Sequence, residues 1–444
     1  MDIKPIAERY VAECLKKGAD AAEVYVESGR RLSVRVRNGE IETVQESSSH
    51  GAGFRVFVKG AMAFASSNDL AEATCREAIG RAVAFARITT PDPSNVLPDD
   101  KGFGDAGPLH DPAIAAIPMD RKVDLALKAE ELALKDPRVT LSGGAGYGEG
   151  EGEIALANSN GLAKSYKSSS CSFAVSVVAA SGDERSSGGE SCGRRFFADL
   201  KPAEEVAASA ARKAGEMLGA RPVKTQKAAV IFSPDVAYAL LGGILGAVNG
   251  ERVLQNASFL AGRIGERIGS ELLTLVDDGL RPKGPASAPF DGEGVPQQVR
   301  TIVEAGVLKG YMYNTAVAAR AGVKSTGNAS RGGFTSLPGI GPHNFYMAAG
   351  TSKVEDIVKA TKRGLLVREV TGYGINPVSG HFSGGAAGFW IEDGRIVHPV
   401  RGLTIAGTAA DMLGGIDMAA DDLDLDRGLT APTLRVREMQ IGGE

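Results

Sequence analysis

Alternation constrains this chain more than any other feature. Between Ala22 and Ser67 the runs AEVYVES, LSVRVRNGEIETVQES, GAGFRVFVKG and MAFASS switch between polar and apolar residues with a period of two. A strand turns successive side chains to opposite faces, so each run presents one face to a core and one to the outside. Asn38-Gly39 and Lys59-Gly60 interrupt the runs with residues that accept a left-handed turn, which predicts hairpins of an antiparallel sheet. Helical spacing precedes the sheet, from the start to about Lys17, and follows it from Asp69 to about Arg87. Asp69 and Glu72 stand at the spacing of a capping box.

The same order then recurs. After a proline-rich stretch from Pro91 to Pro118, a helical pattern runs from Met119 to Lys135. Strands follow around Ile154–Ala157 and Ser172–Ala180, and a helix over Lys201–Leu218 closes the segment with Pro202 in its first turn. Both segments carry Ser-Ser-Ser just ahead of an apolar strand, in SSSHGAGFRVFV and SSSCSFAVSVV, which reads as an internal duplication. With 444 residues the chain exceeds a single core. The expected fold is therefore α+β: an N-terminal domain over 1–220, with halves at about 1–90 and 119–220 and a linker at 91–118, and a β-rich, glycine-rich domain over 221–444. In the second domain one helix begins at Ser233-Pro234-Asp235 and runs to Gly250. Another begins at Ser352, with Glu355 at the capping-box position, and ends at Gly364. Fifty-eight glycines, roughly twice the usual share, suit many turns and close backbone approaches.

Charge and composition exclude several functions. A net charge of −4 with both signs interspersed offers no basic stripe for phosphates, so nucleic acid is not expected as a partner. The longest apolar stretch, AYALLGGILGAV, falls short of the roughly 18 residues that span a bilayer, and the N-terminus shows no secretion signal; neither a membrane nor export is expected, and the reading is cytoplasmic. Cys14, Cys75, Cys171 and Cys192 form no CxxC pair, which predicts free thiols. There is no G-x-x-x-x-G-K-S/T phosphate loop; Gly322-Val323-Lys324-Ser325 lacks the Gly-Lys pair. The glycines at 144, 146, 148, 150 and 152, interleaved with Glu149 and Glu151, fit neither a dinucleotide nor a calcium register and are expected to form a flexible β-turn tip. None of His50, His110, His343, His381 and His398 forms a helical i, i+4 pair or an HExxH motif. A zinc site built from distant loops would have to draw on His343, His381 and a carboxylate such as Asp291. The expected reading is loop histidines, with His343 and His381 as candidate substrate-binding residues.

The C-terminal half carries a resemblance. ASAPFDGEGVP (286–296), KSTGNASRG (324–332), PVSGHFSGGAAGFWIEDGRIVHPVRGLTIAGT (377–408) and APTLRVREMQIGG (431–443), in that order, resemble the TldD/PmbA family. With the helix–sheet–helix pieces before them, the likeness extends over nearly the whole chain. TldD-type members bear HExxxH on a helix soon after a strand and a late cysteine as a further zinc ligand. Here the matching segment is AAVIFSPDVAYALLGGILGAVNG, with Gly242 and Gly243 at the first histidine and the glutamate, Ala247 at the second histidine and Gly246 at a family glycine. No cysteine follows Cys192. The resemblance is thus to the PmbA, or TldE, branch.

It implies no catalytic residue and no metal ligand in this chain, with zinc expected in a partner. That partner would be a TldD-type HExxxH paralogue in a heterodimer, or a second copy in a homodimer. The complex would degrade or trim unfolded peptides, this chain serving assembly and substrate positioning. Zinc hydrolysis needs ionisable ligands, an open coordination position and a proton-accepting carboxylate, and glycine and alanine supply none of them. The small residues of Gly242–Ala247 and Ser383–Gly388 are expected to leave a smooth surface for a partner. The alternatives are an active peptidase with unorthodox ligands and a regulatory binding protein of a topoisomerase.

Overall fold

In the computed structural model, which describes residues 2–99, 102–372 and 374–444, the alternating runs merge into a few very long strands. The first unit is α1 (Lys4–Lys16), β1 (Ala21–Arg37), β2 (Glu40–Val58), β3 (Ala61–Ser67) and α2 (Glu72–Ala86). The second is α3 (Met119–Ala133), β4 (Val139–Asn158), β5 (Ala163–Ser181), β6 (Glu184–Arg194) and α4 (Ala203–Glu216). Helix, three strands, helix thus occurs twice, and Ser47–Ser49 and Ser168–Ser170 fall in the equivalent strands β2 and β5. The six strands form one sheet in the order β3-β2-β1-β4-β5-β6, antiparallel at every step. Asn38-Gly39 and Lys59-Gly60 make the expected tight turns, all four with positive φ. AEVYVES and LSVRVR form a single strand because Gly29, between them, pairs with Gly152 across the β1–β4 seam. A Cβ on Gly29 would lie 3.2 Å from the Glu151 carbonyl oxygen, so the missing side chain permits the close approach.

One face of this sheet carries two cores in series. Val24 and Val26 of β1 pack with α1 and α2, whereas Leu32, Val34 and Val36, farther along the same strand, pack with α3 and α4. The alternation therefore holds over the full length of β1, and every second side chain faces helix.

Several expectations need correction. The glycines from Gly144 to Gly152 are not a turn tip. They lie inside β4, paired on both sides; their spacing of two is itself a strand period that leaves one face bare. Asp69 does not cap α2 as an N-cap residue: it sits two residues earlier, accepts from the Ala71 N–H at 2.8 Å and the Thr74 hydroxyl at 2.7 Å, and Ala71 holds the cap position. The helix expected from Ser352 spans only Val354–Lys359, and Gly364 belongs to the next strand. The 91–118 stretch, whose residues 100 and 101 lie outside the described residues, has little regular structure but is tied down. Its Pro98 carbonyl accepts from Asn158 Nδ2, and Ala106 and Leu109 are buried.

The C-terminal region opens with β7 (Gln226–Phe232) and α5 (Pro234–Ala247). β7 lies between the parallel strand Arg363–Thr371 and the antiparallel strand Leu434–Gly442. The strands His381–Glu392, Arg395–Thr408 and Ile416–Ala419 complete the sheet, and Arg395–Thr408 also pairs with Leu434–Gly442, closing five of its six strands into a barrel. Its largest core unites α5 with barrel residues such as Val230, Phe232, Trp390 and Ile405. The Ser383–Gly388 run is spent inside this barrel. A Cβ on Gly388 would lie 2.0 Å from the Leu366 carbonyl oxygen, so these small residues admit a neighbouring strand rather than a partner surface.

A buried ionic network joins the two regions. Arg55 on β2 donates to Glu23 on β1 at 2.8 Å and to Glu293 at 2.9 Å, and Arg331 donates to the other oxygen of Glu23. Glu293 also accepts the Thr315 N–H at 2.7 Å. Arg55, Glu23 and Glu293 are all nearly inaccessible, so their charges depend on one another.

Candidate functional site

The helix that would bear a zinc motif is α5. Ser233 precedes it with extended backbone and Pro234 fills its first turn, as the sequence predicts. The Ser233 hydroxyl, however, donates to the Val367 carbonyl at 2.9 Å and locks the helix start onto the adjacent strand instead of capping. Gly242 is exposed, and a Cβ there would meet nothing within 4 Å. Gly243, one residue on, is buried. A Cβ on it would lie 2.3 Å from the Ile375 carbonyl oxygen and 2.4 Å from Ile375 Cβ. Gly246 faces Pro377 in the same way at 2.8 Å, and Ala247 is fully buried with its carbonyl accepting from Ser258 Oγ at 2.6 Å. The segment from Gly374 to Gly380 therefore lies directly on the helix, over Gly243, where a general base would stand, and over Gly246. Asn376 N–H donates to the His381 carbonyl at 2.8 Å, and Gly380 N–H to Asn376 at the same distance, which fixes that segment.

The candidate histidines lie in different places. His381 opens the strand His381–Glu392, is exposed, and among the described residues its ring makes no hydrogen bond or ion pair. His343 is half-buried at the start of the strand Asn344–Met347. Its Nδ1 lies 3.0 Å from Asp277 Oδ2 and its Nε2 lies 2.5 Å from Gln297 Nε2, so both ring nitrogens are engaged. Asp277 also accepts from the His343 N–H at 2.7 Å and Asn328 Nδ2 at 2.7 Å. Asp291, the carboxylate considered with them, is buried and accepts from the Glu293, Val295 and Ala329 N–H groups at 2.9 Å each. Burial, together with Glu293 beside it, pushes its carboxyl up to about 7 against the pull of those three donors. No hydrogen bond or ion pair links Asp291, His343 and His381 to one another. Among the described residues no group of three or more His, Cys, Asp or Glu side chains is arranged to hold a metal ion.

Models of the PmbA/TldA metallopeptidase family match residues 22–87 (domain 1), 112–218 (central domain) and 225–443 (C-terminal domain). The chain is 33% identical to the metalloprotease PmbA of Escherichia coli O157:H7, over 99% of this chain and 97% of that protein. It belongs to the PmbA/TldD metallopeptidase family, on the PmbA/TldE branch. A PmbA homologue from Haemophilus influenzae is 32% identical over 98% of this chain and 95% of its own. The solved structure of TldE from Thermococcus kodakarensis superposes with a TM-score of 0.90 at 26% identity, covering 99% of this chain and all of that one.

On this family fold, two features escaped the sequence reading. One is the Arg55–Glu23–Glu293–Arg331 network, whose members lie up to 308 residues apart and carry no local signal. The other is the sheet face opposite the helices, where β4 presents only glycine from Gly144 to Gly152. The every-second-residue spacing of those glycines signalled a bare strand face. Among the described residues no helix is long and apolar enough to cross a membrane.

Proposed function

We propose that this chain is the zinc-free subunit of a TldD–PmbA type peptidase. It assembles with a TldD-type paralogue that carries HExxxH, and positions unfolded peptides while that partner cuts. The observation that carries the reading is the packing of Gly243 against Ile375. The residue aligned with the family's glutamate has no side chain, and the space a side chain would need is filled by backbone. A vestigial site is expected to close in this way once its chemistry has gone, whereas a working site needs the carboxylate and room for a water.

An independent peptidase built on His343 and His381 would require His343 to give up Asp277 or Gln297, both of which hold it in place. The test is elemental analysis of the purified chain. The proposal expects zinc far below one equivalent after mild chelation; a zinc to protein ratio near one, surviving that treatment, would overturn it.

A further inference from the structure

The uncovered face of the six-stranded sheet forms a trough. Over the stretch 144–152, the β4 residues pointing away from the helices are Gly144, Gly146, Gly148, Gly150 and Gly152, a floor about 26 Å long at roughly 3.3 Å per residue. On the β1 side Arg35, Ser33, Arg31 and Gly29 stand beside the last four of them, and on the β5 side Ser172, Ser170 and Ser168 stand beside the last three. Cavities of 370 Å³ and 420 Å³ lie over the two ends of this floor. Only one end is closed. There Phe334 lies against Gly51, Phe290 packs on Tyr166 with ring centroids 5.1 Å apart, and Pro285–Ala288 forms a wall.

Independently of the glycines, the closed end holds an uncompensated cation. Arg195 is 8% exposed. Its Nε donates to the Gly284 carbonyl at 2.8 Å, and its Nη2 to Pro285 at 3.0 Å and Ser287 at 2.8 Å. Among the described residues no carboxylate lies within ion-pair distance and Nη1 makes no hydrogen bond. Burial lowers its pKa, opposed only by the Tyr166 phenol. A guanidinium this deep is ordinarily paired with an anion. Arg31 extends over the floor, its Cγ 3.9 Å from where a Gly150 Cβ would be, again without an ion pair. The hydroxyls of Ser168, Ser170 and Ser172 make no hydrogen bond among the described residues. Glu27 is the carboxylate that alternation places on this face at the closed end, whereas Glu151 points to the helix side and lies 3.1 Å from His110 Nε2.

We infer that this trough binds the carboxyl terminus of an extended peptide, with the terminal carboxylate at Arg195 and Arg31 and the chain running out over Gly150 towards Gly144; the inference rests on the peptide substrate proposed above. A closed end suits a terminus rather than a chain passing through, and two guanidinium groups against one carboxylate leave a positive surplus. The backbone groups of β1, β4 and β5 are already paired within the sheet. A peptide on this face therefore cannot add as a strand, and must be held by its charged end and by side-chain hydroxyls.

The test is anisotropy titration of unstructured peptides carrying a neutral N-terminal dye, against this chain alone and paired with its TldD-type partner. A free-acid peptide is expected to bind and its C-terminal amide to bind at least tenfold more weakly. Arg31→Gln is expected to weaken binding, and Gly148→Val to abolish it. A Cβ at Gly148 sits at an ordinary 3.5 Å from Ser172 Oγ, and valine suits a strand, so Gly148→Val fills the trough with unchanged melting temperature. Equal binding of acid and amide, tight binding of an amide with an internal glutamate, wild-type binding by folded Gly148→Val, or no binding in either form of the protein would each overturn the inference. Cleavage of amidated and free-acid peptides at equal rates by the paired complex would leave the proposed function standing while removing this one.

Discussion

Two adjacent glycines on α5 should respond to the same substitution in opposite directions. Gly242→Ala places a methyl group where nothing lies within 4 Å. Its effect is the helix-propensity gain alone, about 1 kcal/mol of stabilisation. Gly243→Ala gains the same propensity, but its Cβ would sit 2.3 Å from the Ile375 carbonyl oxygen, inside the roughly 3.0 Å closest approach of real side chains. Forcing that backbone away costs about 1–3 kcal/mol by the usual scale of overpacking. The two variants should therefore differ by about 1–3 kcal/mol, which for a region of this size is a gap of roughly 6 °C in melting temperature. Trp390 is the sole tryptophan and lies in the same core as α5, so intrinsic fluorescence follows the relevant unfolding directly. Gly243→Glu, which restores the family's glutamate, should be the least stable of the three, because it adds a buried, unpaired carboxylate to the clash. A Gly243→Ala protein as stable as Gly242→Ala would refute the claim that Ile375 occupies the old site.

Other consequences are separate. Glu23→Gln should destabilise the junction of sheet and C-terminal region by about 3–5 kcal/mol, since it leaves Arg55 and Arg331 short of a buried partner; thermal unfolding and limited proteolysis would register it. Burial alone would raise the Asp235 carboxyl, but Lys213 at 2.9 Å and Arg427 at 2.7 Å hold it below its usual range. A depressed folded pKa gives stability that is full above about pH 4, the unfolded value, and is lost as pH falls further. Asp235→Asn should accordingly flatten the acid limb of the stability–pH curve while costing stability at neutral pH. Burial pushes the thiols of Cys14 and Cys171 up to about 12 each. Ellman's reagent should therefore leave both unmodified in the native protein and react with all four cysteines only on unfolding.

Much of the N-terminal architecture was legible because period-two alternation and turn dipeptides act locally: Asn38-Gly39 and Lys59-Gly60 sit at the tips of their hairpins. Strand length was not legible. Whether Gly29 ends a strand depends on Gly152, more than a hundred residues away, and only the pairing of the two halves decides it. The same non-locality hid the role of Gly144–Gly152. Read alone they resemble a loop, but flanked by β1 and β5 they are a strand without side chains on one face. For α5, the identities at Gly242, Gly243 and Ala247 were plain in the sequence. That Gly243 is sealed by Ile375 while Gly242 stays open depends on a chain reversal over Gly374–Gly380 that no local pattern announces.

The most direct test of the central claim is a three-way cleavage assay on an unstructured peptide: this chain, a TldD-type HExxxH paralogue, and the two together, each purified from a host lacking both genes. The account predicts no cleavage by this chain alone and cleavage by the pair, abolished when the paralogue's motif glutamate is replaced. Cleavage by this chain alone, persisting through purification, would contradict it.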